Sequence, residues 1–246
     1  MSAGRARASQ MSFFTLHESL FATSRKGCYR SARQNDKETD VTSTSTFLDN
    51  IYSVDGGEGM RQYYDDWADS YDSDLRENDY RTPARCAAAL AAHIGDLSAP
   101  ILDFACGTGI SGEALHAAGL TTIDGTDISQ GMLDKARAKG VYRELWRGSP
   151  DAPLNAAGKG YAGIAAVGAI GAGAAPAENI DGAIDSLSPG GVFVVSLNDH
   201  TLEDPQFEER LTRAIADGRV DKLLAEDGPH LPAIGLGARV WAVRRR

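Results

Sequence analysis

The chain has 246 residues, 42% hydrophobic and 24% charged, enough for one sizeable core; it lacks the run of about 18 apolar residues that a membrane helix needs. Its net charge of −9 is uneven: residues 1–35 hold six Arg or Lys and one acid, which leaves 19 basic against 33 acidic residues, net −14, beyond them. So acidic a body repels phosphates and anionic lipid, which argues against a nucleic-acid substrate and against a membrane partner.

Residues 1–45 are rich in Ser, Arg and Thr and show no sustained period. Three readings stay open for this leader: a transit peptide, a disordered tail, or translation from an upstream start with the natural protein beginning near Val41. The domain is expected over residues 46–246. Tyr63, Tyr64, Trp67 and Tyr71 then recur at i, i+1, i+4 and i+8, a helical spacing that predicts a packed amphipathic helix or a cap over a ligand. "TPARCAAALAAH" predicts a helix with Thr82 as its cap and Pro83 at its first position.

"ILDFACGTGISGEAL" predicts a strand over 100–105, a glycine loop and a helix over 110–118. A strand "LTTIDGTD" follows, then a helix capped by Ser129 and stopped by Gly140. Strands are expected in "VYRELWRG", "YAGIAAVGAI" and "GVFVVSLN", and helices in "PAENIDGAIDSLSPGG" and "FEERLTRAIADG". The tail reads as two strands with a long loop between them. Five alternations of strand and helix predict an α/β fold: a doubly wound, mostly parallel, seven-stranded sheet with an antiparallel C-terminal hairpin. Its binding crevice should lie at the carboxyl ends of the strands.

Cys28, Cys86 and Cys106 stand far apart, with no Cys/His cluster, so no metal site or disulfide framework is indicated, and reduced thiols in a cytoplasmic setting are expected. Gly107, Gly109 and Gly112 spell G-x-G-x-x-G, and Asp127 follows Gly107 by 20 residues at the end of the second strand. A tight turn, a helix start with free N–H groups and a carboxylate for ribose hydroxyls indicate a nucleoside-containing cofactor. The pattern by itself admits both NAD and S-adenosylmethionine.

Further motifs separate the two. "LDFACGTG", "GTDISQGMLDKAR" and "LSPGGVFVVSLN" resemble the class I S-adenosylmethionine-dependent methyltransferases. "YYDDWADSYDSDL" and "YRTPARCAAAL" resemble more narrowly the small methyltransferases grouped with the Williams–Beuren syndrome region protein, over about residues 46–244. The resemblance implies that Ala105, Cys106, Gly107, Thr108 and Gly109 wrap the methionine and ribose portion. It further implies that Asp103 helps orient the amino group through backbone or water, that Asp127 takes the ribose hydroxyls and that Ile128 faces the adenine. Val167 and Gly168 would line the methionine side, and Tyr64, Trp67 and Tyr71 would belong to an N-terminal helical lid over about 46–95.

The chain departs from that family at three places. Ser149 stands where relatives place an adenine-binding Asp, Ala162 where they have an acid, and Ala174 where a His is frequent; Asp151, two residues beyond Ser149, could reach back. His200 and Asn198 are the candidates for handling an acceptor proton, with His230 behind them. The function implied is S-adenosylmethionine-dependent methyl transfer to a small-molecule acceptor. The alternatives are a non-catalytic binder of S-adenosylmethionine or S-adenosylhomocysteine and an NAD-dependent oxidoreductase.

Overall fold

Side chains along the strand Leu187–Asn198 alternate between two cores. Phe193, Val195 and Leu197 pack on one face, and Val192 and Val194 on the other. Burial on both faces explains its near-continuous apolar run and requires helices on either side. The computed structural model describes Phe47, Asn50, Ile51, Val54, 56–150, Leu154 and 160–246. The leader, Tyr52 and Asp151 lie outside the described residues.

Ahead of the first strand the chain forms α1 (Gly57–Trp67), α2 (Tyr71–Glu77) and α3 (Thr82–His93). Then follow β1 (Ile101–Phe104), α4 (Ile110–Ala117), β2 (Ile123–Asp127), α5 (Gln130–Lys139), β3 (Glu144–Arg147) and β4 (Tyr161–Ala166). The chain continues through α6 (Glu178–Ser186), β5 (Leu187–Asn198), a short α7 (Asp199–Leu202), α8 (Gln206–Ala216), β6 (Val220–Leu231) and β7 (Leu236–Arg245). The seven strands run in the order β3-β2-β1-β4-β5-β7-β6. The first five are parallel, and β7 lies antiparallel to both β5 and β6.

The expected architecture is therefore the one observed. Helices α6 and α8 cover one face through Ile180, Ile184 and Leu211, and α3 and α4 cover the other through Leu90 and Leu115. Gly163 lets α3 approach β4: a Cβ there would lie 3.1 Å from both Leu90 and Ile94. Strand order reverses between β1 and β4, and a crevice opens there above the carboxyl ends.

Several local expectations need correction. The aromatic run is two helices rather than one, because the chain turns at 68–70 between Trp67 and Tyr71. Thr82 does not cap α3; it is the first helical residue, and its hydroxyl lies 2.7 Å from His230 Nδ1. Helix α6 stops at Ser186, and Pro189-Gly190-Gly191 fall within β5. No long loop joins the last two strands; Pro232–Ile234 and Gly235 connect them. Asp227-Gly228-Pro229 looks like a turn, but an edge strand tolerates proline, and the register shifts there between Pro229 and Leu231. Ser129 and Gly140 behave as expected: Ser129 Oγ accepts the Met132 N–H, and Gly140 is left-handed at φ 68°.

Candidate functional site

The loop after β1 is bent by backbone that glycine favours. Ala105 takes φ 51°, Gly107 φ 55° and Gly109 φ 90°. A Cβ at Gly107 would meet nothing within 4 Å, so glycine serves the dihedral there and leaves the backbone open to a ligand. The Gly107 N–H donates to Asp127 Oδ2 at 2.9 Å, which couples the two ends of the sequence pattern directly.

Asp127 ends β2 and is buried. Its Oδ1 accepts the Ser129 N–H at 2.9 Å. Burial pushes its pKa up to about 6, against the lowering effect of the Ser129, Gly107 and Ile128 amides. It is therefore mostly ionised at neutral pH, and three amides leave the carboxylate acceptor capacity for a hydroxyl donor.

Asp103, in the middle of β1, is completely buried. Both Ser111 Oγ and Tyr142 Oη donate to its Oδ2, each at 2.7 Å. Oδ1 is buried with no partner among the described residues. Burial pushes this carboxyl up to about 7; the two hydroxyls oppose that shift and Asp127 adds to it. The carboxylate is thus fixed through one oxygen by two side chains.

Neither Ser111 nor Tyr142 was anticipated. The signal was Gly112: a Cβ there would lie 2.2 Å from the Tyr142 hydroxyl. Cβ atoms at Gly109 and Gly125 would also crowd the Tyr142 ring, at 3.1 and 2.9 Å. The third glycine of the motif is therefore a slot for a phenol.

Ala105, Cys106, Gly107 and Thr108 line a narrow cleft together with Ser111 and Val167. Tyr71, Tyr80 and Pro83 close its other side. Tyr80 was missed as a site residue. Its hydroxyl lies 2.7 Å from where a Cβ of Gly168 would stand, and its ring meets His230 edge-on at 5.2 Å. Trp67 is buried, donates Nε1–H to Asp74 Oδ2 at 2.7 Å and packs on Phe47, Tyr64 and Tyr71. Of the three expected aromatics Tyr71 reaches the cleft, while Tyr64 and Trp67 form the layer behind it.

Two carboxylates tie α1 and α2 to the cleft. Asp72 accepts from Thr108 Oγ1 and, at 2.9 Å, from Lys139 Nζ. Asp65 accepts from Ser129 Oγ and, at 3.0 Å, from the Gly131 N–H. Burial raises the Asp65 pKa, but Ser129, Gly131 and Arg61 outweigh it and hold the carboxyl below its ordinary range.

The remaining candidates scatter. Ile128 is half-buried beside Gly148, and Ser149 is exposed. Ala162 donates its N–H to the Pro100 carbonyl at the opposite end of the sheet from the crevice, so an acid there is not part of the cleft wall. Ala174 sits in a turn, its N–H bonded to the Gly171 carbonyl. Asn198 is the N-cap of α7, where its Oδ1 accepts the Thr201 N–H and hydroxyl. His200 is exposed, 3.9 Å from Glu203. Neither is among the residues that line the cleft. His230 is buried in β6 and bonded to Thr82; burial first, and Arg85 after it, push its pKa down to about 4 against the pull of Asp199.

Residues 101–191 match a family model described as a methyltransferase domain. The human protein named methyltransferase-like protein 27 is 41% identical over 85 residues, 34% of this chain; that stretch spans 35% of the relative's own length. Two solved structures show the fold. Magnesium protoporphyrin IX methyltransferase from Synechocystis, solved with bound S-adenosylhomocysteine, superposes with a TM-score of 0.51 at 15% identity, over 71% of this chain and 86% of that one. A chain of a Haloferax volcanii complex containing the Trm112 methyltransferase activator gives 0.52 at 16% identity, over 74% and 96%. With the strand order above, the fold is that of the class I methyltransferases.

Proposed function

We propose that the chain, which has the class I methyltransferase fold and a methyltransferase domain at 101–191, transfers a methyl group from S-adenosylmethionine to a small-molecule acceptor. The observation that carries this reading is the pair of buried carboxylates, Asp103 and Asp127, on either side of an open glycine loop. The unpartnered Asp103 oxygen fits an ammonium, and Asp127 fits a ribose. The antiparallel β7 departs from the all-parallel sheet of dinucleotide-binding folds.

Ala105, Cys106, Gly107, Thr108 and Gly109 would wrap the methionine and ribose, Val167 and Gly168 would line the methionine side, and Ile128 would meet the adenine. Ser149 would replace the missing acid there. The N-terminal helices would act as a lid, with Tyr71 and Tyr80 on the acceptor's path. When bound, the cofactor supplies a methyl group on a good leaving group. The protein's own contribution is then alignment and exclusion of water, and no general base is demanded unless the acceptor must lose a proton. The stretch shared with methyltransferase-like protein 27 supports kinship with the small methyltransferases that the motifs resemble. Unpaired, buried Cys86 and Cys106 suit a cytoplasmic setting. A non-catalytic binder is the second reading, favoured by the capping role of Asn198 and the exposure of His200.

Calorimetry tests the cofactor: S-adenosylhomocysteine should bind saturably and NAD should not, and the reverse result would sink the proposal. Asp127→Ala should remove most of the binding. Transfer of a labelled methyl group into a pool of small metabolites separates enzyme from binder.

A further inference from the structure

We infer that Tyr142 is a positioning residue of the cofactor site: it holds Asp103 by one oxygen so that the other stays available to a cationic group of the ligand. This rests on the cofactor reading above. Tyr142 follows α5 and lies two residues past its Gly140 stop. Its ring enters a slot left by Gly109, Gly112 and Gly125, glycines from the loop, the first turn of α4 and β2. Strand register sets Gly125 beside Asp103, so the phenol crosses β2 where no side chain blocks it. The hydroxyl then joins Ser111 on Asp103 Oδ2, and Oδ1 is left buried and unpartnered.

A buried carboxylate oxygen without a donor is costly, and a ligand that brings an N–H removes the cost. Two hydroxyls converging on Oδ2 stabilise the ionised form and fix the carboxylate plane. The other groups acting around Asp103 are Asp127 at the end of β2, Cys106 in the loop, Cys86 on α3 and Tyr80 before it. All are acids or neutral at working pH, so Tyr142 and Ser111 are the groups that keep Asp103 ionisable. Tyr142 thereby acts on the ligand through Asp103 and not by touching it.

Tyr142→Phe keeps the ring in its slot and removes the hydroxyl. Affinity for S-adenosylhomocysteine is measured by calorimetry between pH 6 and 8.5, with 5′-methylthioadenosine, which lacks the amino-acid group, as the second probe. The variant should bind S-adenosylhomocysteine about tenfold or more weakly at the acid end. The deficit should close as pH rises, and 5′-methylthioadenosine should bind both proteins alike. Ser111→Ala should reproduce the pattern and serves if Tyr142→Phe does not fold. A deficit of equal size at every pH, or one shared by 5′-methylthioadenosine, overturns the inference alone. Failure of the unaltered chain to bind either compound overturns the cofactor reading and this inference with it.

Discussion

Thr82 Oγ1 lies 2.7 Å from His230 Nδ1, a contact that bridges 148 positions of sequence. It pins the start of α3 to the edge strand β6, next to the Tyr80 ring that walls the cleft. Thr82→Val keeps the shape and strands a buried ring nitrogen, so it should cost about 1–3 kcal/mol in chemical unfolding. His230 adds a pH signature. Its folded pKa, about 4, lies below the ordinary 6.5, so the unfolded chain binds the proton first. The stability tied to a neutral His230 is present above pH 6.5 and is lost as pH falls toward 4. His230→Gln should flatten that part of the pH dependence, as measured by unfolding midpoints against the unaltered chain.

Asp103 carries the opposite sign. Its folded pKa of about 7 is above the ordinary 3.8, so the folded protein holds the extra proton between those values. Its contribution therefore weakens stability as pH rises from about 4 to 7. Asp103→Asn should raise the melting temperature at pH 8 by roughly 3 °C or more. It should also weaken S-adenosylhomocysteine binding. A melting temperature at pH 8 below that of the unaltered chain would contradict the assignment.

Gly112→Ala places a methyl group 2.2 Å from the Tyr142 hydroxyl and 2.4 Å from Cζ, inside a packed core. The ring must leave, at a cost of about 1–3 kcal/mol. Tyr142→Ala in the same chain should recover part of that loss, because the two sites share one slot. A double-mutant cycle measures the coupling.

Asp72 bridges α2 to the glycine loop through Thr108 and to α5 through Lys139. Asp65 does the same for α1 at the start of α5. Asp72→Asn and Asp65→Asn weaken charge-assisted bonds across the cleft, and the pair should speed S-adenosylhomocysteine release severalfold, on the order of 1–2 kcal/mol. Stopped-flow dissociation reads this directly. Unchanged rates would assign both carboxylates to the fold alone.

The local instructions were legible in the sequence because they depend on near neighbours. Alternation of strand and helix, the Ser129 cap, the Gly140 stop and the apolar run Val192–Leu197 each follow from backbone geometry or burial on a fixed period. The glycine loop and Asp127 were legible for the same reason, since parallel register brings the ends of β1 and β2 together. Only the tertiary structure decided what those residues face. Thr82 has the chemistry of a cap, but a distant histidine claims its hydroxyl. Asn198 has the chemistry of a site residue, but it caps α7. Gly112 belongs to a loop motif, yet its role is set by a phenol 30 positions away that crosses β2 to reach Asp103. Such contacts depend on which side chain fills a given volume, and one-dimensional spacing carries no record of volume.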